Sequence, residues 1–121
     1  IEAHIKDEQT AAHLAACADG DPLVAPVWYR YENDTIEIVT SGRKLDVLRE
    51  NPRVALSIQR EEDGLPEWAV TLRGTARVVD DEERSEEVNR QINEKYGVEA
   101  DAWEENTLVR IDVGSASLTE W

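Results

Sequence analysis

The stretch VAPVWYRYENDTIEIVTSGRK, Val24 to Lys44, decides the fold. Leu23 to Tyr31 is apolar and aromatic, with the β-branched and ring side chains that suit a pleated strand. Asn33-Asp34 interrupts it, and Ile36 to Thr40 then alternates Ile36 and Ile38 against Glu37. Asn and Asp both tolerate a positive φ, so this link predicts a hairpin. Ser41 is a candidate helix N-cap, Leu45, Val47 and Leu48 give the following segment an apolar face, and Pro52 stops it.

Working outward gives the remaining elements. Ile1 to Glu8 reads as the end of a short polar helix, and Ala11 to Ala18 is a compact apolar run closed by the turn cluster Asp19-Gly20-Asp21-Pro22. The first forty residues therefore predict a three-stranded meander. Val54, Leu56 and Ile58 alternate as a strand, Glu61 to Gly64 is a charged turn, and Trp68 to Val79 is a long strand. Gly74 inside it predicts a bulge or a close backbone approach. Asp80-Asp81 caps a second helix whose acidic start and Lys95 end suit the helix dipole. Val88, Ile92 and Tyr96 fall on its buried stripe, Gly97 ends it, and Leu108 to Val113 is a last strand. Six strands, mostly joined by short links, with two crossing helices predict a mainly β chain: a small antiparallel barrel, not a doubly wound parallel sheet.

Length and charge bound the rest. The 121 residues suit a single domain, 1–121, large enough to fold without staples. The net charge of -14 excludes a nucleic-acid partner, which needs a basic face, and excludes a polybasic membrane-surface mode. No apolar run approaches the roughly 20 residues of a membrane-spanning helix, and no secretory signal is legible. The chain neither begins with Met nor contains one, as expected of a segment of a longer sequence. Acid-rich, Lys-poor composition is what multimolar salt favours, because screening there removes the cost of self-repulsion. Cys17 is the only cysteine, which leaves no internal disulfide and fits a cytoplasmic location. The exception to the acidity is Arg43 to Arg53, where Arg43, Lys44, Arg49 and Arg53 face only Asp46 and Glu50.

That island coincides with the best candidate for chemistry. At Thr40-Ser41-Gly42-Arg43-Lys44 a strand ends, two hydroxyls follow, and two cations open a helix. Free N–H groups, hydroxyls and a guanidinium fork suit a phosphate monoester. The same residues also suit a solvated helix start with both cations paired to surface acids. Trp28 and Tyr29 are neighbours on a strand and cannot both face the core, so one is free to cover a planar ligand or a partner. Trp68, Trp103 and Trp121 lie among polar residues and read as dimer contacts. His4 and His13 lack metal-ligand spacing, and no metal site is expected. Cys17 reads as a buried thiol or, less simply, a nucleophile. The acid runs Asp80 to Glu87 and Glu104-Glu105 read as solvated faces. With no nucleophile or acid–base set in view, catalysis would have to come from a cofactor.

Three blocks together resemble a known family. They are AAHLAACADGDPLVAPVWYRYENDTIEIVTSGRKLDVLRENPRVALSI (residues 11–58), VTLRGTARVVDDEE (70–83) and VRIDVGSASLTEW (109–121). They are similar to the pyridoxamine 5′-phosphate oxidase-like, FMN-binding split-barrel proteins. The resemblance implies a six-stranded split barrel, a homodimer, and FMN-dependent oxidoreduction, by hydride transfer through the flavin to a substrate not named by the sequence. It leaves open 8-hydroxy-5-deazaflavin or haem in place of FMN, and a carrier in place of an enzyme. It implies that Thr40, Ser41, Arg43 and Lys44 hold the phosphate. It also implies that Ala25, Pro26, Val27 and Trp28 line the ring and that Val39 meets the ring edge. A flavin-contacting glutamine of the vitamin-forming oxidases is matched by Ala69, and their C-terminal Arg/His block has no counterpart. The resemblance therefore implies a reaction other than pyridoxine-phosphate oxidation. With the acidic composition, it points to a halophilic archaeal member.

Overall fold

The expected strand from Leu23 to Tyr31 is broken in the computed structural model, and the break organises the molecule. The structure describes residues 1–103 and 105–121, so the Glu104 half of the Glu104-Glu105 pair lies outside the described residues. A one-turn helix α1 (Glu2–Ile5) precedes β1 (Ala12–Ala18) and β2 (Asp21–Val27). Then come β3 (Arg30–Glu32), β4 (Thr35–Thr40), α2 (Gly42–Glu50), β5 (Arg53–Glu62), β6 (Leu65–Val79), α3 (Glu82–Lys95) and β7 (Thr107–Glu120). The single sheet has the order β2-β1-β5-β6-β7-β4-β3, with every pairing antiparallel.

That order corrects the expected meander. β2 pairs only with β1, and β3 pairs only with β4, so the two strands stand at opposite ends of the sheet. Only Trp28 and Tyr29 separate them in sequence. Three peptide steps span at most about 10 Å, so the sheet must curl until its ends nearly meet. The result is a barrel split between β2 and β3, with seven strands where six were expected. The Asn33-Asp34 hairpin is as read: both residues have positive φ, 48° and 59°, joining β3 to β4.

Two apolar clusters follow from the curl. Inside the barrel lie Leu14, Tyr29, Ile36, Ile38, Leu48, Leu56, Ile58, Val70 and Ile111, all nearly inaccessible. Trp68, expected at an interface, belongs here: it is 8% exposed and meets His4 edge to face at 5.1 Å. A second cluster lies under α3, where Val88 and Ile92 cover Leu108, flanked by Trp28, Val39, Val79 and Tyr96. α3 starts as read, with the Asp81 carboxylate accepting from Arg84 N–H at 3.1 Å. Beside this cluster, Glu37 is buried among Arg30, Arg84 and Arg110, with Arg30 donating to it at 2.6 Å. Among the described residues, no helix is long and apolar enough to cross a membrane.

β6 and β7 slip register between Arg73 and Gly74, where Gly114 is the extra residue on β7. A Cβ on Gly74 would collide with the Asp112 backbone and sit 3.0 Å from Ile111 Cγ2, whereas one on Gly114 would meet only Arg73 O at 3.5 Å. Backbone cannot yield as a flexible side chain does. Gly74→Ala should therefore cost about 1–3 kcal/mol in urea unfolding, and Gly114→Ala less than about 1 kcal/mol. Equal losses would contradict the close approach.

Candidate functional site

Chain geometry at the split creates a cavity. Trp28 and Tyr29 belong to no strand, so their backbone groups need partners from elsewhere. Lys95 Nζ donates to Tyr29 O at 3.0 Å, and Tyr29 N–H donates to Tyr96 Oη at 3.4 Å. The Tyr96 hydroxyl in turn donates to Thr10 O at 3.1 Å, and Gln9 Nε2 donates to Lys95 O at 2.8 Å. The end of α3 thus clamps the crossing between β2 and β3. Tyr29 turns into the barrel, where its hydroxyl donates to Ile5 O at 2.6 Å. Trp28 turns the other way and stacks on Tyr96, with ring centroids 4.7 Å apart and planes within 5°. Tyr29 therefore belongs to the core and Trp28 to the cavity wall.

The cavity holds about 410 Å³, within the range of small-molecule sites. Pro26, Val27 and Trp28 line one part, and Val39, Thr40, Ser41 and Lys44 another. These are seven of the nine residues singled out in the sequence. Ala25 pairs with Leu14 and is not among the lining residues. Arg43 is drawn to Asp21 by a 2.8 Å ion pair on the open surface. Asn89, Ile92, Asn93, Trp103 and Asn106 complete the lining and were not foreseen. Asn89 and Asn93 carried a signal: polar residues four apart on the stripe of Val88 and Ile92 have a reason to be buried.

The start of α2 is unusually open for an anion. Ser41 occupies the N-cap position with extended backbone, yet its side chain makes no cap hydrogen bond. Gly42 follows at φ 65°, a left-handed conformation that glycine adopts without strain. No ion pair engages Lys44 among the described residues.

A second recess of about 660 Å³ opens on the outer face of the sheet, beside Cys17, Arg53, Arg73, Thr75 and Ser115. Two arginines stand there among mostly small side chains, with no aromatic wall and none of the singled-out cofactor residues. Cys17 there is half-buried.

The profile of the family described as Pyridoxamine 5′-phosphate oxidase matches residues 1–120. No curated protein matches the sequence significantly. Among solved structures the chain is similar to a FAD-binding protein from Mesorhizobium loti, with 24% identity, 90% of this chain and 82% of that one covered, and a TM-score of 0.73. It is similar to an F420 reductase at 20% identity, covering 94% of each chain with a TM-score of 0.78. It is similar also to HutZ, a haem storage protein from Vibrio cholerae, at 21% identity, covering 93% and 87%, with a TM-score of 0.75.

The clamp has a pH consequence. Burial lowers the Lys95 pKa from 10.5 to about 8. The folded chain thus releases this proton near pH 8, while the unfolded chain keeps it until about 10.5. Between those values the unfolded state binds more protons, so the Lys95 contribution to stability rises with pH. Burial pushes Tyr96 up to about 12 and Tyr29 upward as well, which acts oppositely above pH 10. Between pH 8 and 10, the wild type should gain stability relative to Lys95→Met. Parallel curves in chemical denaturation would show that the ammonium is not desolvated.

Proposed function

The chain belongs to the pyridoxamine 5′-phosphate oxidase family, and from that premise we propose that it is an FMN-dependent oxidoreductase with its cofactor in the cavity between β2, α2 and α3. One observation carries the reading. A phosphate-suited donor set (Thr40, Ser41 and Lys44, where β4 passes into α2) lines the same cavity as an apolar and aromatic wall. The wall, Pro26, Val27, Trp28 and Val39, suits a fused planar ring. FMN joins those two chemistries in one molecule.

Each group then has a task. Lys44 and the α2 amides bind the phosphate, and Thr40 and Ser41 orient it through their hydroxyls. Val27, Trp28 and Val39 exclude water from the ring. Arg43, held by Asp21, acts at longer range. When bound, FMN supplies a two-electron centre that accepts or gives hydride. A deazaflavin would meet the same walls. Haem is less well served, because no His, Cys, Met or Tyr is among the described residues lining the cavity.

A homodimer accords with the outer face of the sheet. There Pro22, Val24 and Pro26 of β2 register with Cys17, Ala15 and His13 of β1, and Val24 is 72% exposed. Small side chains continue across Ala55 and Ser57. Pro26 belongs both to this face and to the cavity, so a second copy seated there would close the cavity rim. The acid surface fits a cytoplasmic protein of a halophilic archaeon.

Lys44→Ala should weaken FMN about tenfold or more and leave riboflavin nearly unchanged, as expected for loss of one charge-assisted contact to phosphate. Arg43→Ala should weaken FMN less. Titration by quenching of flavin fluorescence reads both, and equal losses for FMN and riboflavin would refute the phosphate role. Anaerobic reduction of the bound flavin by a nicotinamide nucleotide, then reoxidation by an acceptor, separates an enzyme from a carrier.

A further inference from the structure

Trp103 is built into the cavity at a cost that neither the fold nor the phosphate site explains. Its φ is 54°, a left-handed conformation that bulky residues avoid. The backbone on either side is held in place by hydrogen bonds. Asn89 and Asn93 are 2% and 1% exposed, and both donate through Nδ2 to Ala102 O, at 2.7 and 2.9 Å. Asn93 also reaches Ala100 O at 3.2 Å, and Asn106 N–H donates to Trp103 O at 3.2 Å. Two amides buried beside Val88 and Ile92 therefore serve to fix the residues just before this one indole.

What they fix is not a core residue. Trp103 is 54% exposed, touches Trp28 edge to face at 5.5 Å and 84°, and lines the cavity. An edge-to-face contact of this kind takes at most one of the two faces of the Trp103 ring. Among the described lining residues Lys44 alone is charged, so a group lying beside Trp103 meets aromatic and amide surface. Such a surface selects an uncharged planar ring.

We propose that Trp103 is a stacking platform for the planar aromatic ring of the second reactant, the electron donor or acceptor that meets the flavin. The identity of that ring as a reactant rests on the flavin reading given above; the stacking does not.

Menadione, an uncharged planar quinone, is the probe. Its binding to the full chain is measured by equilibrium dialysis, with and without saturating FMN, for the wild type, Trp103→Phe and Trp103→Leu. FMN affinity and sedimentation mass are measured in parallel. Trp103→Phe should hold menadione within about threefold, and Trp103→Leu should lose about tenfold or more, as removal of a stacking face does elsewhere. Any loss of FMN affinity should be smaller than the loss of menadione affinity, and mass should stay unchanged in both. Equal menadione affinity in Phe and Leu variants would overturn the proposal. So would a selective loss of FMN affinity, which would make the indole a cofactor contact, or a fall in mass, which would make it an interface anchor. If the wild type takes no FMN while the Phe–Leu difference persists without flavin, the flavin reading fails and the platform stands.

Discussion

The backbone of Tyr29 is the constraint on which the rest of the structure depends. It carries the chain from one end of the sheet to the other and lies outside both terminal strands, so no ladder satisfies its N–H and C=O. An unpaired buried backbone group costs as much as a lost hydrogen bond, and two would strain a domain of this size. α3 solves the problem from outside the barrel, with Tyr96 accepting from the N–H and Lys95 donating to the carbonyl. Because the clamp holds Tyr29 inward, Trp28 must face outward, onto Tyr96 and into the cavity. Sheet closure, helix docking and cavity wall are consequences of one residue whose backbone groups are satisfied.

Charge is arranged around the same site. Of the four cations between Arg43 and Arg53, Arg43 and Arg49 are tied to Asp21 and Asp80. Exposed pairs of this kind add little stability. Lys44 and Arg53 make no ion pair among the described residues, and of these two Lys44 lines the cavity while Arg53 lines the outer recess. The buried Glu37 takes up Arg30, Arg84 and Arg110 on the outer face of the sheet, where α3 contributes Arg84. Removing that carboxylate would leave guanidinium groups packed together without a counter-charge.

Most of the fold was legible because local chemistry specified it. The Asn33-Asp34 turn, the Asp81 cap, the close approach at Gly74 and the stripe of Val88 and Ile92 all behave as their residue types dictate. The break at Trp28 was not legible. Nothing in Val27-Trp28-Tyr29-Arg30 disfavours a continuous strand, and the interruption is imposed by closure of the sheet and by a lysine 66 positions away. Half of the cavity was foreseen for the same reason: Pro26 to Trp28 and Val39 to Lys44 flank one hairpin and are local in sequence. The α3 side depends on how the helix docks, and Asn89, Asn93 and Trp103 become site residues only through that docking. Trp68 misled because polar neighbours on a strand alternate with the buried face.

On the proposed function, a phosphorylated planar cofactor binds in this cavity beside the Tyr29 clamp. Amide hydrogen exchange on the full chain in concentrated salt, with and without FMN, tests it most directly. The account predicts that FMN slows exchange at Ser41 to Lys44 and at Trp28 and Tyr29, the two walls of one site. Unchanged exchange at both, or slowing confined to the outer recess around Cys17 and Arg73, would contradict it.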